Sequence, residues 1–160
     1  MIDKMRSWFR GGSSARLIHP EDWPAETGKP RVLIENPDGA DLWAHADVLR
    51  EAGYDVAMCG GPTPETEDHE RTVCPLVGGG RCPLVEGADV VVSTTRMTDG
   101  REILGALSAR SSPALVVEGT SSDLKLDGDV IGGSQKITLP VLPEQLVEAV
   151  ERARSTRVTD

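Results

Sequence analysis

Arg31-Val-Leu-Ile-Glu35 is closed by Asn36-Pro37-Asp38-Gly39 and answered downstream by Tyr54-Asp-Val-Ala-Met58. The first run is short, aliphatic and ended by turn residues, which reads as a strand. Between the two runs Leu42, Ala46 and Leu49 recur at i, i+4 and i+7, and Gly53 stands where a helix stop is expected. The segment is therefore a strand-helix-strand unit with tight connections, which makes its two strands parallel neighbours joined by a right-handed crossover.

The same alternation continues downstream. Ala88 to Thr95 is a β-branched run, Arg101 to Arg110 carries Ile103, Leu104 and Leu107 at helical spacing, and Pro113 to Val117 is a fourth aliphatic run. Glu118 to Gly128 is short and polar, with room for two or three helical turns. A fifth, weaker strand falls at Asp129-Val-Ile131 or at Lys136 to Leu139. Pro143 then sits at a first-turn position before Glu144, Leu146, Val147 and Val150, with Arg152 and Arg154 near the end, where the helix dipole favours cations. Alternating elements of this length specify a doubly wound α/β domain with a five-stranded parallel sheet. Aromatic residues are only 3% of the chain, so its core is built from Val, Leu, Ile and Ala, as the buried strands of parallel sheets are.

Residues 59–87 break the rhythm. They hold Pro62, Pro64, Pro75, Pro83, the run Gly78-Gly79-Gly80 and all three cysteines, a composition that excludes a long helix. Upstream, residues 1–29 read as a basic arm and linker: Lys4, Arg6 and Arg10 alternate with Met5, Trp8 and Phe9, and Gly11-Gly12-Ser13-Ser14 follows. The expected organisation is thus an arm at 1–29, a domain at 30–155 and a tail at 156–160.

Charge narrows the partners. The 160 residues carry a formal net charge of −9, and the arm is slightly basic, so the rest of the chain is strongly acidic. Such a body repels phosphate backbones, which argues against nucleic-acid binding by the folded part. No apolar run reaches the roughly 18 residues of a membrane span, and no secretory h-region precedes the domain. A cytoplasmic protein is the resulting expectation, and three cysteines in a reducing compartment read as metal ligands, redox thiols or small buried residues.

With these residues in place, a resemblance becomes visible. Arg31-Val-Leu-Ile34, Val48-Leu-Arg-Glu-Ala-Gly-Tyr-Asp-Val56, Ala88-Asp-Val-Val-Val92 and Leu139-Pro-Val-Leu-Pro-Glu-Gln-Leu146 resemble the corresponding segments of response-regulator receiver domains, across roughly residues 31–153. The resemblance implies a CheY-like, receiver/flavodoxin-like fold, here with a remodelled cysteine-containing loop in place of the second helix. Receivers transfer a phosphoryl group using an acidic pair after the first strand that holds magnesium, and an aspartate at the end of the third that accepts the phosphoryl group. Those positions fall on Asn36 and Pro37 and on Thr94, while the switch hydroxyl falls on Glu118 and the partner lysine on Leu139. A hydroxyl lacks both the charge to help hold magnesium and the nucleophilicity of a carboxylate without an activating base. The resemblance therefore implies a pseudo-receiver, a regulatory module that is not phosphorylated and acts through a protein partner or a second copy.

The cysteine segment keeps other readings open. Cys74-Pro-Leu-Val77 and Cys82-Pro-Leu-Val85 echo each other across Gly-Gly-Gly-Arg, and Cys59 ends the second strand. With His69 as a fourth ligand, the three thiolates would suit zinc or an iron–sulfur cluster, although structural zinc motifs usually begin with a close C-x2-4-C pair that is absent here. A thiol-redox sensor, three buried small residues, and an enzyme with Cys59 as nucleophile are the alternatives. No phosphate loop, nucleophile elbow or dinucleotide fingerprint is present.

Overall fold

The computed structural model describes residues 23, 27–35, 42–60, 66–68, 73–94, 98–126 and 128–157. The elements run β1 (Arg31–Glu35), α1 (Leu42–Glu51), β2 (Asp55–Cys59), α2 (Pro83–Glu86), β3 (Val90–Thr94), α3 (Thr98–Ser108), β4 (Ala114–Gly119), α4 (Ser121–Leu126), α5 (Gly128–Ile131), β5 (Gln135–Thr138) and α6 (Pro143–Arg157). All strands are parallel and lie in the order β2-β1-β3-β4-β5. The expected α/β class and five-stranded parallel sheet are therefore present. Of the two segments offered for the last strand, the one near Lys136 forms it, while Gly128–Ile131 is a helical turn.

Strand alternation divides the core in two. Val32 and Ile34 of β1, Val56 of β2, Val90 and Val92 of β3 and Val116 of β4 face α1 and α6, where they meet Ala46, Leu49, Leu146, Ala149 and Val150. Leu33, Ala57, Val91, Leu115 and Val117 face the other side and pack on Leu84, Val85, Ile103, Leu104, Leu107 and Ile131. Burial on both faces is why these strands read as unbroken aliphatic runs rather than alternating ones.

Local signals close the elements. Gly53, at φ +96°, ends α1: its N–H donates to the Arg50 carbonyl at 3.0 Å and that of Tyr54 to Leu49 at 3.1 Å. This is the paired-bond stop that a left-handed residue makes possible, and Tyr54 and Leu49 share the core beneath it. Thr120 and Asp123 cap α4 reciprocally, Thr120 Oγ1 accepting from the Asp123 N–H at 3.2 Å and Asp123 Oδ2 accepting from the Thr120 hydroxyl at 2.7 Å. Between β2 and β3 the proline- and glycine-rich stretch makes a turn at Pro75–Gly79 and the single-turn α2 that Pro83 opens.

Three residues placed outside the domain from sequence, Trp23, Thr156 and Arg157, belong to its core or its last helix. Helix α6 continues through Thr156 to Arg157. Trp23, in the segment read as arm and linker, is buried in the core on the α2 side; its Nε1–H donates to the Leu84 carbonyl at 3.2 Å, and the Arg31 guanidinium lies 5.4 Å from its ring centre. The backbone of Gly87 comes so close that a Cβ there would lie 2.8 Å from Trp23 Nε1. A lone tryptophan in a proline-rich stretch carries no periodicity, so nothing in the sequence marks it as core.

Truncation at this anchor is expected to be severe. Trp23→Ala should destabilise the domain by about 3–5 kcal/mol, and Gly87→Ala, which forces the indole outward, by roughly 1–3 kcal/mol; urea unfolding of both variants checks this.

Candidate functional site at the carboxyl ends of the strands

In an open parallel sheet with this strand order, ligands are received outside the carboxyl ends of the strands where the chain switches direction, here between β1 and β3. Glu35, Cys59, Ser93, Thr94, Glu118 and Gly119 all occupy that edge. Alternation sends them to opposite sides of the sheet. Glu35, Cys59 and Ser93 continue the rows of Leu33, Ala57 and Val91 toward the α2 and α3 side, whereas Thr94 and Glu118 continue the rows of Val92 and Val116 toward α1 and α6.

On the first side Glu35 is 5% exposed, and its Oε2 accepts a hydrogen bond from the Ser93 hydroxyl at 2.6 Å across the β1–β3 register. Its Oε1 is buried with no hydrogen-bond partner among the described residues. Burial raises this carboxyl from its ordinary 4.5 to about 7, against the opposing influence of the Ser93 hydrogen bond. The carboxyl is thus substantially protonated near neutrality. Reading the sequence for receiver positions misses it, because Glu35 precedes them by one residue and a glutamate ending a strand looks like a solvated turn.

On the second side Glu118, fully enclosed, meets His45 of α1, with Nε2 2.6 Å from Oε1. The two atoms are in contact without the alignment of a hydrogen bond. Thr94, in register with Glu118, is 1% exposed. The His45 side chain turns inward from its helix and is largely enclosed.

The remaining receiver positions add little. Leu139 is half-buried just past β5, its N–H donating to the Gly119 carbonyl at 2.9 Å. Asn36 and Pro37 lie outside the described residues. The magnesium that the resemblance implies needs several converging oxygen ligands. Glu35 and the Thr94–Glu118 pair point to opposite sides of the sheet, and the Glu35 carboxyl resists ionisation, so the described residues do not fit such a cage.

The cysteines converge on one apolar cluster rather than on a ligand site. Cys82 is buried in it, and Cys59 and Cys74 pack against it half-buried, all three as free thiols. Burial is the main cause that pushes the Cys74 and Cys82 thiols up, opposite to the direction a reactive thiolate needs. Among the described residues no group of three or more His, Cys, Asp or Glu side chains is arranged to hold a metal ion, which removes the support for zinc or an iron–sulfur cluster there; His69, the fourth ligand considered, lies outside those residues. None of the described helices is long and apolar enough to cross a membrane.

Both buried acids give measurable consequences. The Glu35 carboxyl is protonated in folded and unfolded chains below about pH 4.5, so its cost is absent there; as pH rises through 7 the folded state pays up to about 3 kcal/mol. Glu35→Gln should flatten that part of the stability profile, and Ser93→Ala should move the carboxyl's titration to higher pH; urea unfolding from pH 4 to 8.5 and carboxyl carbon NMR check both. His45→Ala should leave Glu118 buried without its counterpart and destabilise by roughly 3 kcal/mol, with a smaller added loss in the His45→Ala/Glu118→Gln pair than the single changes sum to, as a double-mutant cycle reads directly.

No family model matches the chain, and no curated protein matches it in sequence. Solved structures do match it. A CheY-like receiver domain from Methanospirillum hungatei is 18% identical with a TM-score of 0.58, over 82% of this chain and 98% of that one. A receiver domain from Clostridium thermocellum is 15% identical with a TM-score of 0.60, over 81% and 98%. The chemotaxis protein CheY4 of Vibrio cholerae is 21% identical with a TM-score of 0.53, over 78% and 98%. At such identities the likeness is one of fold, and the chain has the five-stranded, all-parallel fold of CheY-like receiver domains.

Proposed function

We propose that this protein is a regulatory module of the pseudo-receiver kind, which works by binding a protein partner or a second copy of itself and does not take up a phosphoryl group. The observation that carries this reading is Thr94. It stands at the carboxyl end of β3, where the resemblance puts the acceptor, and it is an enclosed hydroxyl beside the Glu118–His45 pair. An attacking group must meet the incoming phosphorus in line, and a side chain 1% exposed offers no such approach. Glu118 occupies the switch position with a carboxyl that would repel a phosphoryl group, and Leu139 brings no positive charge to stabilise one.

The sheet and its helices survive without that chemistry, and their outer faces remain available as binding surfaces. The receiver fold of the matching structures supports a role in signalling, and the acidic body of the chain suits a protein partner better than a nucleic acid. Two of the three cysteines, Cys74 and Cys82, have thiols that burial holds away from ionisation, which gives a metal or redox reading no support from them.

Incubation of the full chain with acetyl phosphate and Mg²⁺, followed by intact mass measurement, should give no stable adduct of about 80 Da, the mass that accompanies the added phosphoryl charge. An adduct mapped to a residue of the sheet edge would overturn the proposal.

A further inference from the structure

The described residues enclose a cleft of about 470 Å³ at the amino ends of β4 and β5, between the end of α3, the end of α5 and the last turns of α6. It lies at the opposite end of the sheet from Glu35, Thr94 and Glu118. Its size is that of a small-molecule pocket, and Leu107, Leu115 and Ile131 give it an apolar floor.

Two features of the polar lining are specific. The first is Arg110, the one charged residue among the lining residues, in a chain whose net charge is −9. The acid on which its charge acts, Glu86, already accepts hydrogen bonds from Arg81 at 2.7 and 2.9 Å. The half-buried Arg110 guanidinium therefore carries a charge that no carboxylate lining the cleft answers. The second feature is the direction of the hydroxyls. Ser108 donates to the Gly105 carbonyl at 3.2 Å, and Ser134 donates to the Ile131 carbonyl. A hydroxyl has one proton to give, so toward a ligand both present acceptor lone pairs only. Ser108 also closes α3, whose carboxyl end carries partial negative charge.

We infer that this cleft binds a small zwitterion of the α-amino acid kind with an aliphatic side chain. Its carboxylate meets Arg110, its ammonium meets the Ser108 and Ser134 oxygens, and its side chain covers Leu107, Leu115 and Ile131. A plain anion would satisfy Arg110 but face acceptor oxygens that repel it, and a plain cation would face Arg110. A molecule that carries both charges on a short apolar body answers the whole lining.

The consequence is regulatory. A ligand in this place bridges α3, α5 and α6 and stabilises their packing in proportion to its occupancy. The module thereby has an input at the amino end of the sheet, and that input stands whether or not Thr94 accepts a phosphoryl group.

The test uses the full chain, isotopically labelled, titrated with L-leucine in NMR. The amide signals of Ser111, Gly132, Gly133 and Ser134 are expected to move and to approach saturation by ~20 mM, as a millimolar or tighter Kd requires. Isocaproate, which lacks the ammonium, and isoamylamine, which lacks the carboxylate, should each bind at least about tenfold more weakly, each having lost a charge-assisted hydrogen bond. Arg110→Gln should weaken leucine binding by a similar factor, and Arg110→Lys by less. Unmoved amides at those four positions would overturn the inference. So would equal binding of the three molecules, undiminished binding by Arg110→Gln, or equal binding of inorganic phosphate, which would make the cleft a general anion site. The comparison among the small molecules needs no variant, so it decides the matter even where Arg110→Gln fails to fold.

Discussion

Everything in this molecule hangs on the enclosure of β3. Its five residues, Val90 to Thr94, are buried on both faces and paired on both edges, with β1 on one side and β4 on the other. Val90 and Val92 fix the α1–α6 layer and Val91 the α2–α3 layer, so the strand is where the two halves of the core are brought into register. The asymmetry of the sheet edge follows from the same constraint. Successive residues of a strand must point to opposite sides, and Ser93 and Thr94 therefore serve different neighbourhoods although they are adjacent in sequence.

That division explains the two buried acids. Glu35 ends β1 and Glu118 is the penultimate residue of β4, the two strands flanking β3; they lie one on each side of the sheet, and each meets a different kind of partner: a hydroxyl for Glu35 and an imidazole for Glu118. A hydroxyl can donate one hydrogen bond but brings no charge, so Glu35 answers its desolvation largely by keeping its proton. Glu118 has a basic ring in contact instead. A single edge that receives a phosphoryl group would need its oxygen ligands to converge, and here they are drawn apart to opposite sides of the sheet. The loss of receiver chemistry proposed above is thus a change in where polar side chains point as much as in what they are.

The cysteine-containing connection has a comparable logic. A helix normally covers the sheet between β2 and β3 in a doubly wound fold, and here one helical turn does so together with Cys59, Cys74, Leu76 and Cys82. Trp23 arrives from the amino-terminal side to complete this thinner layer, contributing the area that a missing helix would have supplied. The tightness of its seat against Gly87 shows how little slack the arrangement has. Small, apolar thiols suit such a place because they fill irregular space without needing hydrogen-bond partners.

The aliphatic runs at Arg31–Glu35, Ala88–Thr95 and Pro113–Val117, the helical spacing of Leu42, Ala46 and Leu49, and the stop at Gly53 were enough to specify the α/β class and the parallel sheet, because periodicity and turn chemistry are local properties of the chain. That Thr94, Glu118 and Leu139 lie at or near strand ends was legible for the same reason. The role of Trp23, the inward turn of His45 and the pairing of Glu35 with Ser93 were not. Ser93 lies 58 residues from Glu35, Leu84 lies 61 from Trp23, and Glu118 lies far along the chain from His45. Which side chains meet across such separations is fixed by strand order and register, and whether a carboxyl keeps its proton is fixed by how completely the fold removes water from it. Those are properties of the assembled sheet, and only the tertiary structure decides them.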